Sequence, residues 1–335
     1  MKILFIVGSY PPDACGIGDY TARLVDSLKE LKVDVGVLTG QDWSPAGVPK
    51  LIDRIKSFQA DIVHMQYPSL GYGYQIGPQL LANACPMVVT IHEVTQAHFV
   101  RQLSLYGFSV RSQRIVFTTE AERSYAKRRC PWIAEKSSVI QIGSNVPVTL
   151  MAASEKSDIV GYFGLIRPVK GLEQVLEAAS ILHRSGSDLR VRIIGRVVPG
   201  LEPYYEDLRS SSRNLPIEWF IGVDDSALAD LIGSCRFAYL PFPDGASERR
   251  ASLIAFMEAG ACIVTTNGEQ TIDFMKGAMR FSKNATDAVG IMQELRDDPD
   301  SCLHIQESVK SVAQRFSWSK IAQAHLKLYR EILRQ

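Results

Sequence analysis

Two cationic residues stand at a turn between a candidate strand and a candidate helix, where an anion could be held. Arg167 and Lys170 follow the apolar strand predicted at Ile159–Phe163 and precede a helix predicted to start at Leu172. Two cations suit a diphosphate, and the unpaired N–H groups of a helix start add to the attraction. Surface lysines and arginines are common, so the position of the turn after a strand is what makes it informative. The pattern predicts a diphosphate contact at Arg167 and Lys170.

Two glycines, Gly16 and Gly18, lie at an earlier strand-to-helix turn. Glycine permits positive φ and a close approach of the backbone to a ligand, with a helix start behind it. A dinucleotide fingerprint would need GxGxxG directly after the strand. Here Thr21 occupies the third glycine position, and seven residues separate Gly8 from Gly16. We therefore expect a phosphate or hydroxyl contact rather than a dinucleotide site.

A third strand-to-helix turn lies in the stretch Pro241–Thr266. An apolar strand at 237–240 runs into a Pro/Gly loop, a helix is predicted to open near Glu248, and a strand follows at Cys262–Thr265. This order is typical of a βαβ unit, whose helix start can bind an anion. The loop is therefore a second candidate ligand site.

The helix of this unit begins with small residues and carries one carboxylate farther along. Ala251 and Ser252 would let a ligand approach the backbone, whereas Leu253 and Ile254 are expected to face a core. Glu258 is either a solvated helix residue or a ligand-binding one. The composition of the preceding loop favours the ligand-binding interpretation.

A histidine, His92, comes one residue after the strand predicted at Met87–Ile91. It is either a ligand-binding residue at the strand end or a histidine that is hydrogen-bonded there. His92 and His98 have no third ligand nearby, which argues against zinc. The acidic pair in Asp298–Asp300 is expected to be a solvated loop. The sequence thus predicts no metal site and no cofactor.

Composition limits the class of protein. The 335 residues are 46% hydrophobic and 22% charged, with a formal net charge of +1, which gives no support for a nucleic-acid partner. None of the six cysteines forms a CxxC pair, so free thiols in a reducing cytoplasm are expected. The first apolar run is too short for a signal peptide, and no window approaches the ~20 apolar residues of a membrane span.

Apolar runs and amphipathic stretches alternate along the first half of the chain. The strands predicted there are Ile3–Gly8, Val33–Leu38, Asp61–Gln66, Met87–Ile91, Ile115–Thr119 and Ser138–Ile142. The predicted helices are Asp19–Leu31, Val48–Phe58, Tyr74–Ala84 and Glu120–Arg129. Strands separated by helices imply a parallel, doubly wound sheet.

A segment without periodicity, Ser144–Ser157, reads as a linker to a second half with the same plan. The strands predicted there are Ile159–Phe163, Leu189–Ile194, Ile217–Ile221, Phe237–Leu240 and Cys262–Thr265. The predicted helices are Leu172–Ser185, Glu202–Ser212, Ser226–Ser234, Arg249–Ala259, Thr286–Asp297, Cys302–Arg315 and Ser317–Arg334. We predict an α/β fold of two tandem doubly wound, Rossmann-like domains, residues 1–150 and 151–316, with a helix at 317–335. Such domains leave an interdomain cleft in which ligands bind.

At this point the chain resembles the retaining two-domain glycosyltransferases of GT-B type in family 4. The resemblance covers the whole length and rests on CGIGDYT, TIHE, FGLIRPVKGLEQVLEA, GVDDSALADLIGSCRFAYLP, MEAGACIVTT and FSWSKIAQAHLKLYREIL. Each motif is modest, but their order together is specific. The resemblance implies GT-B architecture, with a last helix that crosses back to the first domain.

The resemblance assigns roles to the residues of the second domain. Lys170 and Arg167 would hold the diphosphate of a nucleotide sugar. Glu258 would bind the ribose hydroxyls, and backbone N–H groups around Ala251 to Ile254 would meet the phosphate and donor sugar.

It also assigns roles in the first domain, which would be the acceptor side. Gly16 and Gly18 would face the phosphate from this domain, and His92 would contact the donor sugar near the reacting carbon. The acceptor would meet loops such as Tyr67–Tyr74, whose aromatic residues either stack on a sugar or cover the sheet.

Two positions depart from the family pattern. The family usually has a glutamate eight residues before the position of Glu258, where this chain has Arg250, and Glu248 would need a changed loop to replace it. The family's phosphate arginine lies five residues before the lysine, where this chain has Leu165, and Arg167 is expected to take its place. Arg250 bears on the donor sugar, because the missing carboxylate normally touches sugar hydroxyls.

The predicted activity is metal-independent transfer of a sugar from a UDP- or GDP-linked donor to a hydroxyl of a glycan, lipid-linked or small-molecule acceptor. By family analogy the transfer retains configuration. The protein is expected in the cytoplasm, either free or in peripheral contact with the membrane. Two alternatives stay open: a catalytically silent nucleotide-sugar-binding subunit, which Arg250 favours, and a sugar-nucleotide epimerase of similar architecture. A nicotinamide dehydrogenase is disfavoured, because the fingerprint is missing.

Overall fold

The structure is a computed structural model that describes residues 1–13, 15–95, 98–269 and 271–335, apart from the side chains of Phe99 and Val100. It divides into two units. We call Met1–Asn145 with Ser317–Gln335 the first domain, and Val146–Phe316 the second domain.

The first domain is built on a parallel sheet. Its described strands are β1 (Lys2–Ile6), β2 (Asp34–Leu38), β3 (Ile62–Tyr67), β4 (Val88–Ile91), β5 (Arg114–Phe117) and β6 (Ser137–Val139). Their order is β2-β1-β3-β4-β5-β6, so the direction of winding reverses between β1 and β3. In doubly wound sheets such a switch point leaves a crevice at the carboxyl ends of the strands.

Helices cover both faces of this sheet. They are α1 (Gly16–Glu30), α2 (Val48–Phe58), α3 (Gly77–Ala84), α4 (Phe99–Arg111), α5 (Glu120–Arg129) and, from the end of the chain, α13 (Trp318–Leu333). Successive strand residues point to opposite faces, which explains the continuous apolar runs. Ile3 and Phe5 pack in a core with α1 and α13, whereas Leu4 and Ile6 pack in a core with α2 and α3.

The second domain repeats the plan with a different strand order. Its described strands are β7 (Ser157–Ile166), β8 (Arg190–Val197), β9 (Ile217–Ile221), β10 (Cys235–Leu240), β11 (Cys262–Thr265) and β12 (Arg280–Phe281). They are parallel in the order β12-β11-β10-β7-β8-β9, which places the switch point between β7 and β10. The helices are α6 (Leu172–Arg184), α7 (Glu202–Ser211), α8 (Asp225–Gly233), α9 (Ala251–Ala259), α10 (Asp273–Lys276), α11 (Ala285–Asp297) and α12 (Pro299–Ala313).

The predicted α/β class with two Rossmann-like sheets is confirmed, but several element bounds differ. Helix α1 begins at Gly16 rather than Asp19, and α9 begins at Ala251 rather than near Glu248. The Asp298–Asp300 stretch is a helix start rather than a free loop, because the Asp298 carboxylate accepts a hydrogen bond from Ser301 N and caps α12.

Among the described α-helices and strands, three were not predicted from the sequence: α4, α10 and β12. Helix α4 contains Gly107, which lowers helix propensity. A Cβ at Gly107 would lie 3.0 Å from the side chain of Gln79, so the glycine is what lets α3 pack closely on α4. The other two elements are short, at four and two residues, and carry little periodic signal.

The domain boundary falls five residues before the predicted position 150. Thr149 explains the difference, because its backbone N–H donates to Ala229 O and its hydroxyl donates to Asp230 at 2.6 Å. Both partners lie in the second domain. At the other end, His325 and Tyr329 of α13 are fully buried in the first domain. No helix in the described ranges has a stretch long and apolar enough to cross a membrane.

Candidate active site

A cavity of about 440 Å³ lies at the carboxyl ends of the second domain's strands, beside its switch point. Leu165 and Arg196 line it from the ends of β7 and β8, Val223 from the loop after β9, and Phe242 from the loop after β10. Its size is that of a small-molecule site. Gly195 is required in its wall, since a Cβ there would lie 2.2 Å from the carbonyl oxygen of Gly164.

The cavity is strongly cationic. Its charged lining consists of Lys170, Arg196, Arg249 and Arg250, together with Asp225. Burial lowers the pKa of Lys170, and the neighbouring charges of Arg167 and Arg250 lower it further, against the opposing effect of Asp244. A partly desolvated lysine among other cations is stabilised in its charged form when an anion binds. The lining therefore suits a group with several negative charges.

The start of α9 adds backbone donors to this lining. Ala251 and Ser252 line the cavity, and the side chain of Arg250, at the N-cap position, makes no capping hydrogen bond. The first helical bond of α9 runs from Ile254 N to Arg250 O, so the N–H of Ile254 is already used. Leu253 is fully buried and can contribute only its backbone. The N–H groups without a partner inside the helix are thus those of residues 251–253, one fewer than the predicted set.

Arg250 is held in place by two neighbours. Its guanidinium pairs with the carboxylate of Asp244 and lies over the ring of Phe242, with 4.8 Å to the ring centroid. It also occupies the N-cap position of α9. The residue that departs from the family pattern is therefore a fixed part of the cavity wall.

The predicted diphosphate turn has a strained backbone, and its two cations differ in placement. Val169 has φ 63° and Gly171 has φ 78°, a conformation that is unfavourable for a β-branched residue such as valine. The hydroxyl of Tyr162 donates to Lys170 O at 3.0 Å and fixes the end of the turn. Lys170 lines the cavity, whereas the side chain of Arg167 is exposed and lies outside the lining.

Glu258 lies two turns into α9 and does not line the cavity. Its side chain is partly buried, and burial raises its pKa from about 4.5 to about 7. A carboxyl group with such a shift in or beside a ligand site is a candidate functional group. Its predicted contact with ribose hydroxyls remains a prediction.

Sequence reasoning missed several cavity residues because it treated only some of the strand ends. Those it did not predict include Arg196, Val223, Asp225, Leu228 and Phe242. The signal that could have found them is a position at or shortly after the carboxyl end of a parallel strand, which Arg196 and Val223 share with Lys170. Arg249 is the first residue of the helix predicted at Arg249–Ala259, but the sequence assigns no role to it.

In the first domain, Gly16 and Gly18 both lie in the first turn of α1, with different surroundings. A Cβ at Gly16 would meet no atom within 4 Å, so its backbone is open. A Cβ at Gly18 would lie 2.7 Å from the carbonyl oxygen of Ser9, so this glycine is needed for packing. Of the two, Gly16 is the one that a ligand could reach.

His92 follows β4, as predicted, and its ring is held by its own domain. Its Nε2 lies 2.8 Å from Gln66 Oε1, and the ring of Tyr20 stands edge-on to it with 4.8 Å between centroids. The imidazole is only partly buried. Both interpretations of His92 thus keep support: it is hydrogen-bonded at a strand end, and part of it is accessible.

The aromatic residues of the loop after β3 divide between the core and the surface. Tyr67 and Tyr72 are buried, and Tyr72 donates a hydrogen bond to Ile6 O at 3.1 Å. Tyr74 is 74% exposed, with the guanidinium of Arg101 5.5 Å from its ring centroid. Covering the sheet is therefore the role of the first two, and Tyr74 is the one that can meet another molecule.

Comparisons with known proteins agree with this architecture. Residues 35–146 match the sequence family Glycosyltransferase Family 4. No curated protein matches the chain. Among solved structures, Anabaena Alr3699/HepE in complex with UDP and glucose has a TM-score of 0.72 and 15% identity, covering 99% of this chain and 100% of that one.

Two further structures have similar scores. A glycosyltransferase from Rickettsia africae has a TM-score of 0.71 and 15% identity, covering 99% of this chain and 98% of its own. The catalytic domain of starch synthase IV from Arabidopsis thaliana, bound to ADP and acarbose, has a TM-score of 0.67 and 12% identity, with 100% of both chains covered. At these identities the likeness shows the fold, and the family match over residues 35–146 supplies the class. The chain is thus a glycosyltransferase with the GT-B fold that carries a family 4 domain in its first half.

Proposed function

We propose that the chain transfers a sugar of hexose type from a UDP- or GDP-linked donor to a hydroxyl group of an acceptor. The observation that carries this proposal is the cavity of the second domain, where four cationic side chains and the open start of α9 converge. Such a lining suits a diphosphate. The complexes of HepE with UDP and of starch synthase IV with ADP support a nucleoside diphosphate as the ligand of this fold.

The leaving group can be stabilised by the protein's own cations. As the bond between sugar and diphosphate breaks, negative charge grows on the diphosphate, and Lys170, Arg249 and the N–H groups of α9 would meet it. We therefore propose that the reaction needs no metal ion. Activity should survive excess EDTA, whereas complete loss that magnesium or manganese restores would contradict the proposal.

We also propose that the transfer retains configuration, as the family resemblance implies. The acceptor oxygen would bond to the anomeric carbon on the face from which the diphosphate leaves. The hydroxyl proton would pass to an oxygen of the departing diphosphate, so that the products are the glycoside and the nucleoside diphosphate. In the first domain, Gly16 would contact the phosphate, with Gly18 packed behind it against Ser9, and His92 would contact the sugar. NMR of the product's anomeric configuration tests the stereochemistry.

The acceptor is proposed to be a glycan, a lipid-linked sugar or a small molecule, with a peripheral membrane contact in the lipid-linked case. Support comes from α4, where Leu103, Tyr106 and Val110 form one exposed stripe of 48%, 42% and 64% accessibility. Lys136 Nζ donates to Val110 O at 3.2 Å, which places a cation that anionic lipids would attract beside this stripe. Cosedimentation with anionic vesicles that is lost in Val110→Asp would support this surface, and unchanged binding would reject it.

The compartment proposed is the cytoplasm. All six cysteines are free and buried, which fits a reducing environment. The formal net charge of +1 gives no reason to propose a nucleic-acid partner.

The decisive experiment is a thermal-shift and calorimetric screen of nucleotide sugars, followed by a transfer assay. UDP or GDP should bind more tightly than the corresponding monophosphate, because the cavity is read as a diphosphate site. Lys170→Ala should weaken binding, whereas Lys283→Ala, an exposed cation outside the cavity, should not. Binding without transfer or hydrolysis of any donor would favour the silent subunit, and interconversion of donor sugars would favour the epimerase.

A further inference from the structure

Side chains of β3 and α13 form a buried series of hydrogen bonds that ends at His92. His92 Nε2 lies 2.8 Å from Gln66 Oε1, and Gln66 Nε2 lies 3.4 Å from His64 Nε2. His64 Nδ1 lies 2.5 Å from the hydroxyl oxygen of Tyr329. Gln66, His64 and Tyr329 are each 0% exposed. This series of hydrogen bonds therefore connects the loop after β4 to the last helix of the protein.

An amide that lies between two imidazole nitrogens fixes their protonation relative to each other. Glutamine presents an acceptor at its oxygen and donors at its nitrogen, so the ring nitrogen at the oxygen must carry a proton and the one at the nitrogen must not. With the amide in the orientation that it has here, both contacts of Gln66 are satisfied when Nε2 of His92 donates and Nε2 of His64 accepts. The hydroxyl of Thr90, 2.7 Å from His64 Nε2, can donate to the same lone pair.

Burial keeps the inner histidines neutral, so only the position of their proton can vary. Burial holds the pKa of His64 well below its usual range, and the charges of His325 and His92 lower it further. Burial, followed by the charge of His92, lowers the pKa of His325 to about 3. In that arrangement the single proton of His64 is on Nδ1 and is donated to the oxygen of Tyr329.

We propose that Tyr329, His64 and Gln66 are positioning residues that hold His92 as the tautomer with its proton on Nε2. In this tautomer Nδ1 carries a lone pair and can only accept a hydrogen bond, as from a sugar hydroxyl. The C-terminal helix thereby sets the hydrogen-bonding character of a histidine in the predicted site. The consequence for sugar binding rests on the proposed function, whereas the tautomer itself does not.

The tautomers can be read by long-range ¹H–¹⁵N NMR of the full-length protein labelled at the histidine nitrogens. Signals of His92 and His64 are assigned from His92→Gln and His64→Gln. In the wild type, His92 should carry its proton on Nε2 and His64 on Nδ1. Tyr329→Phe removes the acceptor of the His64 Nδ1 proton, so the proton should move to Nε2, the Gln66 amide should turn round, and His92 should move to the Nδ1–H form.

Tyr20→Phe is the matched control. Tyr20 is also buried, and its hydroxyl contacts His325 Nε2 of α13 at 3.2 Å, but it is not part of the series of hydrogen bonds through Gln66. The phenylalanine keeps the ring edge against His92, so the tautomer of His92 should not change. In the double variant Gln66→Met with Tyr329→Phe, the amide between the two rings is absent, so the tautomer of His92 should no longer change when that of His64 does.

A second variant tests the rule if Tyr329→Phe does not fold. Gln66→Glu presents acceptors at both ends, so both rings should then carry their proton on Nε2. The proposal is overturned if wild-type His92 carries its proton on Nδ1. It is also overturned if the proton of His64 moves to Nε2 in Tyr329→Phe while His92 keeps its proton on Nε2. The same holds if the proton of His64 moves to Nε2 in Gln66→Glu while His92 loses its proton from Nε2.

The activity readout separates this inference from the proposed function. Tyr329→Phe should lower kcat by at least about tenfold with little change in donor KM, and Tyr20→Phe should not. If the tautomers behave as stated and no variant, nor the wild type, transfers sugar, the proposed function fails and the inference stands. If transfer is normal and the tautomers do not follow, the inference fails alone.

Discussion

Lys170 is the cation of the predicted diphosphate turn that lines the cavity. Its charge should meet charge that grows on the departing diphosphate, an interaction that is stronger in the transition state than in the ground state. Lys170→Ala should therefore lower kcat by about a hundredfold or more. Arg167 is exposed and outside the lining, so Arg167→Ala should cost less than about tenfold. Steady-state kinetics of both variants checks this, and equal losses would contradict the assignment.

A separate prediction concerns Glu258 and the dependence of the free energy of unfolding on pH. Its folded pKa of about 7 lies above its ordinary value of about 4.5, so the folded state holds a proton that the unfolded state has lost in this window. Stability is therefore lost as pH rises from about 4.5 to about 7. Glu258→Gln should remove this loss and gain up to about 3 kcal/mol relative to the wild type between pH 4 and pH 8.

Urea unfolding of both proteins at the two pH values measures this difference. Parallel pH curves would show that the carboxyl group is not desolvated.

The ribose role of Glu258 is tested independently: Glu258→Ala should raise donor KM, and a deoxyribose donor should add little to that defect. Additive effects would place Glu258 away from the ribose.

At the scale of elements, the start of α9 carries the prediction about donor choice. Arg250 occupies the N-cap position of this helix, lines the cavity and is paired with Asp244. Arg250→Glu would replace a cation by a carboxylate that can accept sugar hydroxyls. We expect the ratio of kcat/KM between UDP-sugars to change by about tenfold or more, and to change more than the affinity for free UDP does.

The control for this element is Asp244→Asn, which weakens the ion pair but leaves Arg250 in the wall. It should keep the wild-type preference among donors. If the preference among donor sugars is also unchanged in Arg250→Glu, the start of α9 does not contribute to donor-sugar specificity.

At the scale of the whole molecule, the two domains have separate cores, and the last helix belongs to the first. Tyr329 in α13 and Phe316 just before it are both fully buried, the former in the first domain and the latter in the second. Truncation of either ring to alanine should cost about 3–5 kcal/mol. UDP should stabilise the second domain, since the cavity lies within it.

Scanning calorimetry with and without UDP can assign the two transitions. Phe316→Ala should lower the transition that UDP raises, and Tyr329→Ala should lower the other. A single substitution that lowers both equally would show that the domains unfold as one unit.

The sequence by itself determined the class of fold and part of the site. Strand and helix periodicities are local properties, so the alternation of elements, the two sheets and most bounds could be predicted. The family resemblance rested on the same local motifs. Lys170, Ala251 and Ser252 were found because a loop that follows a parallel strand and opens a helix is a ligand position in such sheets.

Only the tertiary structure decided which of these positions converge. Strand order depends on which apolar faces are buried together, and this is not written in any local window. That order brings Arg196 and Phe242 to the cavity of Lys170, whereas Arg167, three residues from Lys170, is exposed and lies outside the lining. Likewise, His64 and Tyr329 lie far apart in the chain and meet because α13 packs on the first sheet, where both polar groups must find partners once they are buried.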